Sequence, residues 1–266
     1  MSHTALDLIN TELYPLHDHQ SSSYNSLVKR CKEELATHSA CLLEGFITSD
    51  AIEMIVSEVD RASIEAYGCR ETHNVFLEKN DKKYPLTHPR RQLQNTNLDS
   101  VAFDQIHPTH GLHILYSWDP LLSFIANVLN KENYYRMADP LAAVTVNVMH
   151  DGQNHGWHFD EAAVSTTIML QSPKIGGVFE YVPNIRPEET GGYEAIDQVL
   201  KGSYKDIRTL KVTPGTLILF EGYRSLHQVT TVRGATTRYV ATFCYKDQPN
   251  ICNSPELQKI FFGRTV

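Results

Sequence analysis

Two hydrophobic periods divide the 266-residue chain. In the first half, apolar residues recur every three or four positions, which is the spacing of an amphipathic helix. After Leu141 they fall into short β-branched runs separated by glycine and proline, a pattern typical of closely spaced strands. The first pattern predicts helices at 25–40, from Ser49 or Asp50 onward and from Asp119 onward, and a fourth helix is predicted near 194–200.

The second pattern predicts seven strands in about a hundred residues, which indicates an antiparallel barrel or sandwich. Helices come first and strands second, so the predicted fold class is α+β with a β-barrel core. A short strand is also predicted at 40–43, and the polar stretch 71–104 is predicted to be mostly loop. The seven strands are predicted at 142–149, 164–170, 178–182, 207–212, 216–220, 228–232 and 239–245.

Composition and charge exclude several classes of protein. Hydrophobic residues make up 41% and charged residues 21%, and no run approaches the roughly 20 apolar residues of a membrane span. The net charge of -7 argues against a nucleic-acid partner, which requires clustered lysine and arginine. The five cysteines form no CxxC pair and the N-terminus has no apolar signal segment, so a reducing cytoplasm is expected.

His158-Phe159-Asp160 is the main candidate for metal chemistry. On a strand, residues two apart leave the same face with Cα atoms roughly 6.6 Å apart, a span that a metal ion can bridge. His227 is the one histidine in the sequence after Asp160, and it precedes a predicted strand. Two histidines and one carboxylate form the facial set that holds iron(II) and leaves coordination positions open.

Arg238 begins an apolar strand eleven residues after His227. Because a buried unpaired charge is very costly, this arginine requires an anionic partner. A dicarboxylate co-substrate could supply one through charge-assisted hydrogen bonds. Structural alternatives stay open at this point: His158 and His227 could be core histidines, and Arg238 could pair with Glu180 or Glu221.

At these residues the chain resembles the Fe(II)/2-oxoglutarate-dependent dioxygenases, in which HxD, a distal histidine and a later arginine lie on a double-stranded β-helix. The resemblance covers roughly residues 141–246. It implies a jelly-roll, cupin-like core with N-terminal helices packed on it, and iron(II) held by His158, Asp160 and His227. It also implies that Arg238 binds the distal carboxylate of 2-oxoglutarate, which is converted with O2 to succinate and CO2.

The stretch from His155 to Glu161 is similar to the motif of the branch that halogenates or hydroxylates free amino acids, notably lysine, without a carrier protein. In that branch, the histidine three residues before the first ligand and the acid three residues after it contact the substrate. The resemblance therefore implies substrate roles for His155 and Glu161. It also implies an upstream arginine for the substrate carboxylate, Arg90 or Arg91, and Asp139 is the candidate for a second acid at the side-chain amine.

Asp160 departs from the halogenases, which resemble this chain but carry a small residue at that position, where the vacancy admits chloride to iron. A carboxylate occupies the position and repels an anion, so hydroxylation is expected. The predicted enzyme is a hydroxylase of a free amino acid, foremost L-lysine, with another amino acid, a peptide or another metabolite as the alternative substrate. A non-catalytic metal-binding β-barrel that senses a ligand is the alternative of a different class.

A single domain is expected over 1–266. Residues 1–140 would supply mainly helical support and substrate loops, and 141–246 would form the catalytic β-helix. Residues 247–266 would form a C-terminal tail that either packs on the core or closes over the site as a lid. The protein is expected to act on a small molecule as a monomer or homodimer, without a membrane or nucleic-acid partner.

Overall fold

A curled antiparallel sheet forms the centre of the computed structural model, which describes residues 3–186 and 192–266. Eleven strands of the described part belong to this sheet, and two short strand pairs lie beside it. The strands are β1 (Ala40–Leu43), β2 (Tyr67–His73), β3 (Gln94–Val101), β4 (Tyr135–Arg136), β5 (Val144–Met149), β6 (Asn154–His158), β7 (Ser165–Gln171), β8 (Ile175–Gly176), β9 (Phe179–Val182), β10 (Arg208–Leu210), β11 (Leu217–Phe220), β12 (Leu226–Val229), β13 (Val232–Arg233), β14 (Arg238–Phe243) and β15 (Tyr245–Lys246).

The sheet folds back on itself into two layers. Its strand order is β1-β11-β7-β14-β5-β3-β6-β12-β9-β10, with β2 on the other edge of β3. Strand β3 joins the layers, because residues 99–101 pair with β5 whereas Thr96 and Asn97 pair with β6. The layers meet where the rings of Phe220 and Phe179 lie 5.0 Å apart. This arrangement is the predicted double-stranded β-helix.

Five of the seven helices of the described residues lie in the first half of the chain, and one lies near its C-terminal end. The four predicted helices are confirmed, each beginning within three residues of its predicted start. Side-chain caps set two of these starts, since Ser21 accepts a hydrogen bond from Tyr24 N and Thr48 accepts one from Ala51 N. No helix of the described residues is long and apolar enough to cross a membrane. The helices are α1 (Ala5–Leu8), α2 (Ser22–His38), α3 (Ser49–Ala62), α4 (Gly111–Ser117), α5 (Asp119–Val128), α6 (Tyr193–Leu200) and α7 (Pro255–Phe262).

Strand alternation separates the helix-covered core from the interior of the β-helix. Ile168, Leu217 and Ala241 lie on three neighbouring strands and are fully buried in the main hydrophobic core, which includes residues of α2, α3 and α5. Thr167 and Thr242 alternate with these core positions and face the cavity between the layers. Burial of each large apolar side chain contributes about 1.5–3 kcal/mol, so one face of each strand holds the helices while the other remains available for a site.

The prediction that 71–104 is mostly loop is wrong at its ends. Strand β3 covers Gln94–Val101, and its alternate residues Thr96, Leu98 and Ser100 are buried. The strand is paired along both edges, by β2 on one side and by β5 and β6 on the other. Pairing to distant strands supplies its backbone hydrogen bonds, so it forms without the β-branched sequence on which the prediction relied.

The C-terminal helix α7 packs against β2. Its Phe262 is buried beside Met137 and Leu141. Arg264 follows the helix and forms an ion pair with Asp104 through two contacts of 2.6 and 2.8 Å. The tail is therefore docked on the domain by both apolar and charged contacts.

Candidate metal centre and co-substrate cavity

Three predicted ligands converge at one end of the space between the layers. His158 closes β6 and pairs directly with His227 of β12. Asp160 lies two residues beyond the strand, where its backbone N–H donates to Gly222 O at 3.0 Å. Its Oδ1 lies 3.6 Å from His158 Nε2 and 3.5 Å from His227 Nε2. The predicted pairing of HxD with the distal histidine is thus present in the fold.

Backbone carbonyls fix the orientation of both imidazoles. His158 Nδ1 lies 2.7 Å from Gly156 O, and His227 Nδ1 lies 2.9 Å from Ser225 O. A carbonyl oxygen only accepts hydrogen bonds, so each ring carries its proton on Nδ1. The lone pair of each Nε2 is then left for a metal, the arrangement that supports histidine ligands in metalloproteins.

Burial and mutual charge set the protonation of this group. Burial lowers the pKa of His158, and the neighbouring His227 lowers it further. Burial opposes ionisation of Asp160, but its contacts with His227 and His158 bring the pKa of Asp160 well below its ordinary value. At neutral pH the site therefore presents a neutral His158 imidazole and a carboxylate, the protonation states that metal binding requires.

The geometry of these ligands fits a small divalent ion. The ligand atoms of His158, Asp160 and His227 all lie within 4.8 Å of one another, and no other group of this kind occurs in the described ranges. Ligand atoms placed roughly 2.1 Å from a metal at right angles would be separated by about 3 Å, close to the distances found. Two imidazoles and one carboxylate with an open side select iron(II).

Arg238 lies in the same cavity as the three ligands, a space of about 120 Å³. Only 5% of the residue is exposed, and its Nε donates to Gly177 O at 3.1 Å. No carboxylate lies within ion-pair distance of it in the part of the chain that the structure describes. Burial lowers the pKa of Arg238 to about 10. The guanidinium is thus a desolvated cation that an anionic ligand would stabilise.

Polar side chains that the sequence interpretation missed complete the cavity wall. Asn147, Thr167 and Thr242 line it, and within the described residues none of their side chains has a hydrogen-bond partner. Ser165 also lines it, and its hydroxyl donates to Asp160 Oδ2 at 2.5 Å. Strand periodicity could have found these residues, since each lies on a predicted strand at a position alternate to the core residues.

His155 also lines the cavity, where its ring stacks on that of His158 at 3.9 Å. Residues three apart on a regular strand would face opposite sides. A β-bulge resolves this, because His158 pairs with His227 while His155 pairs with Val229. Between these two pairs β6 advances by three residues and β12 by two, so both histidines face inward. Trp157 packs in an apolar cluster instead.

Arg90 and Arg91 lie on the loop between β2 and β3, outside the central cavity. Arg90 Nε donates to Tyr193 Oη at 2.9 Å, and its guanidinium lies 4.6 Å from the centre of the Phe76 ring. Phe76 stacks in turn on Phe159, the residue between the two HxD ligands. Arg91 donates to Asn80 and Tyr84. Arg90 therefore contacts the metal-binding segment through one aromatic layer, whereas Arg91 stabilises the loop.

Asp139 is a correction to the predicted substrate residues. It is fully buried and lines no part of the central cavity. Oδ1 accepts from the backbone N–H groups of Leu141 and Ala142, and Oδ2 accepts from Asn253 N and Gln258 Nε2. Its acceptor capacity is used within the protein, so no amine can reach it.

Glu161 is exposed and lies directly after the metal-binding segment, without lining the cavity. Another acid, Glu71, was missed by the sequence interpretation because its stretch was predicted as loop. Glu71 pairs with Thr96 of β3, and Thr96 pairs with His155 of β6. These three residues form one row across adjacent strands, which places Glu71 on the inner face two strands from His155.

Comparison with known protein families identifies the family to which this chain belongs. The family model described as Halogenase D matches residues 23–257, which is most of the chain. The chain belongs to the Halogenase D family. A comparison with curated proteins gives no match. Asp160 of this Halogenase D family member thus stands within a matched region that includes all three candidate ligands and Arg238.

Solved structures show the same fold at low sequence identity. A 2OG-Fe(II) oxygenase family oxidoreductase from Burkholderia pseudomallei is 15% identical, with a TM-score of 0.54 over 85% of this chain and 93% of that one. The epimerase SnoN, in complex with Fe3+, alpha ketoglutarate and nogalamycin RO, is 12% identical, with a TM-score of 0.60 over 84% of each chain. A prolyl hydroxylase from Trichoplax adhaerens is 15% identical, with a TM-score of 0.52 over 86% and 96%. The predicted fold class is confirmed for this Halogenase D family member.

Proposed function

We propose that the protein is an Fe(II)- and 2-oxoglutarate-dependent hydroxylase of a free amino acid, with L-lysine as the first substrate to test. One observation carries the proposal. Two imidazoles and one carboxylate meet at 3.5–3.6 Å, and a buried arginine without a carboxylate partner among the described residues shares their cavity. A ligand sensor without catalysis has no need for an open metal face.

In the proposed reaction each residue has a distinct task. His158, Asp160 and His227 hold iron(II), and Arg238 binds the distal carboxylate of 2-oxoglutarate through charge-assisted hydrogen bonds. When bound, iron supplies the reduction of O2 coupled to decarboxylation. The balance is one 2-oxoglutarate, one O2 and one C–H bond converted to succinate, CO2 and an alcohol. Arg238 is buried, so little water would screen its electrostatic contact with the ligand.

Asp160 decides between hydroxylation and halogenation in this proposal. An anion binds at iron only where a coordination position is vacant and the local charge permits it. The Asp160 carboxylate supplies an oxygen ligand and a negative charge at that place, so chloride is disfavoured on both grounds. The family model alone does not distinguish the two reactions, so the proposal of hydroxylation rests on this residue.

A cationic amino acid suits the groups around the cavity mouth. His155 stacks on a metal ligand, so it can contact a substrate held beside the iron. Glu161 and Glu71 are exposed carboxylates near this end, and either could bind an amine. Arg90 is the better placed of the two arginines for the substrate carboxylate, because it contacts Phe76 above the metal-binding segment. Five free cysteines support the cytoplasm as the predicted compartment.

The test is aerobic incubation with iron(II), 2-oxoglutarate and a panel of free amino acids, followed by mass spectrometry and a succinate assay. We expect a gain of one oxygen on a basic amino acid, matched by succinate. The His158→Ala variant should bind no iron and form no succinate. Succinate without oxygen on any amino acid would redirect the search to a peptide or another metabolite. Unchanged succinate from H158A would remove His158 from the site.

A further inference from the structure

We infer that Ser165 is a positioning residue which, together with Gly222, restricts Asp160 to one oxygen ligand for the metal. The inference rests on the proposed function, because it concerns how that iron site keeps positions open. Ser165 begins β7 and pairs with Phe220 of β11, and Gly222 follows two residues later. Both residues therefore belong to the layer opposite the two histidines.

The two oxygens of Asp160 have different partners. Oδ1 is the oxygen that lies 3.5–3.6 Å from the Nε2 atoms of His158 and His227. Oδ2 accepts a hydrogen bond of 2.5 Å from Ser165 Oγ. A carboxylate whose second oxygen is held by a hydroxyl presents only the first to a metal, and such outer partners orient ligands in metal sites generally.

Gly222 provides the space that this orientation needs. A Cβ atom at Gly222 would lie 1.9 Å from Asp160 Oδ2 and 2.6 Å from its Cγ, far closer than any side chain tolerates. The φ angle of Gly222 is not among the positive values found in the described chain, so space rather than backbone conformation requires glycine here. Gly222 O also accepts from Asp160 N at 3.0 Å. The Phe220–Gly222 turn thus packs directly against Asp160, and only a glycine leaves space for this carboxylate.

The number of oxygens that Asp160 supplies affects what else can bind the metal. If iron(II) were held by two imidazoles and one carboxylate oxygen, its remaining positions would be available to 2-oxoglutarate and O2. An Asp160 bound through both oxygens would compete for one of these positions. Ser165 therefore protects the position on which the proposed chemistry depends.

The first test compares Ser165→Val with Ser165→Thr, two side chains of nearly equal volume of which only threonine keeps the hydroxyl. Co(II) replaces iron as the probe, because its visible absorption reports coordination number and no turnover is needed. We expect S165V to bind Co(II) roughly 10–100-fold more weakly, with an altered Co(II) spectrum and weaker 2-oxoglutarate binding. We expect S165T to restore affinity and spectrum to near wild type. A folded S165V with wild-type affinity and spectrum would overturn the inference and leave the hydroxylase proposal standing.

The second test probes Gly222 by thermal stability, so that it does not depend on metal at all. Gly222→Ala should lower the Tm of the apo protein by roughly 2–12 °C, the range for an overpacked site in a domain of this size. In an Asp160→Gly background the same change should be nearly neutral, because the clash has been removed. Equal Tm shifts in both backgrounds would overturn the fitted contact. Wild-type protein that binds neither Co(II) nor Fe(II) would overturn the proposed function and this inference with it.

Discussion

Arg238 is the residue whose burial has the clearest energetic consequence. Its pKa of about 10, against an ordinary 12.5, corresponds to a destabilisation of the apo protein on the order of 3 kcal/mol. The sign follows from burial: the folded state disfavours the cation, so the destabilisation holds at every pH below about 10 and is relieved as pH rises through that value. At neutral pH only an anion in the cavity can relieve it. The burial of this charge is consistent with the proposed role of Arg238 in binding an anionic ligand.

Replacing Arg238 with methionine tests this explanation. The apo variant should gain roughly 1–2 kcal/mol of unfolding free energy, since the buried charge disappears while the hydrogen bond to Gly177 is lost. Affinity for 2-oxoglutarate should fall roughly 100-fold or more, the equivalent of two charge-assisted hydrogen bonds. Denaturant unfolding and calorimetric titration measure the two effects. Arg238→Lys is the control, because it keeps the charge without the planar fork. A variant that is less stable and binds 2-oxoglutarate normally would contradict the assignment.

Asp160→Gly tests the residue on which the proposed reaction outcome depends. Loss of a direct ligand should reduce hydroxylation by more than the roughly 10–100-fold typical of outer-shell changes. The vacancy beside Gly222 and Ser165 would then be open to an anion. Metal affinity and product mass should be measured in chloride and in sulfate of equal ionic strength. We expect chloride to strengthen metal binding in the variant only. Wild-type hydroxylation by the variant would show that the carboxylate is not a ligand.

At the scale of elements, the regular strands were predictable and their irregularities were not. The β14 strand carries Arg238, Val240 and Thr242 inward because strands alternate with a period of two. The bulge in β6 breaks this rule and brings His155 beside His158. It exists because β6 must pair with β12, an element some seventy residues away. Local sequence does not encode a register shift between distant strands.

Asp139 links the start of the core to the C-terminal helix, and Asp139→Asn tests this structural role. The asparagine side chain would place its own N–H group against the N–H groups of Asn253 and Gln258. We therefore expect the unfolding free energy to fall by roughly 3 kcal/mol at pH 7. The KM of the folded variant for the amino acid should not change. A raised KM with unchanged stability would return Asp139 to the substrate site.

The effect of the same variant on stability should depend on pH. Burial opposes ionisation of Asp139, but hydrogen bonds from Gln258, Asn253, Leu141 and Ala142 bring its pKa below 3.8. A lowered pKa contributes stability that is present above 3.8 and is lost as pH falls through the folded value. The stability difference between wild type and D139N should therefore be constant near neutrality and shrink below pH 3.8. Urea unfolding at a series of pH values measures it.

At the scale of the whole molecule, the helices hold one layer of the β-helix from outside while the cavity forms between the layers. The cavity contains the Asn147 side chain, which has no hydrogen-bond partner among the described residues, and the Arg238 guanidinium, which has no carboxylate partner among them. Ligands that satisfy these groups bind the folded state alone, so they must stabilise it by mass action. Stability and function are coupled here through one enclosed space.

Thermal unfolding with ligands tests this coupling. Mn(II) is a redox-stable substitute for iron, and at about 100 times its Kd it should add roughly 2.7 kcal/mol. That corresponds to a Tm increase of roughly 5–10 °C in a domain of this size. 2-Oxoglutarate should add a larger increase when metal is present than when it is absent. The H158A variant is the control and should show no metal-dependent shift. Equal increases with 2-oxoglutarate in the presence and absence of metal would separate its site from the proposed centre.

The amino-acid sequence by itself determined the helices, most strands and the candidate metal ligands, because each depends on local periodicity or on residue types whose chemistry is specific. The tertiary structure decided which side chains share the cavity. It made β3 a central strand by pairing both its edges, turned His155 inward through a bulge, and engaged Asp139 with the C-terminal segment. It also placed Ser165 and Gly222 against Asp160 from the opposite layer. These outcomes depend on contacts between residues far apart in the chain, and no local pattern specifies them.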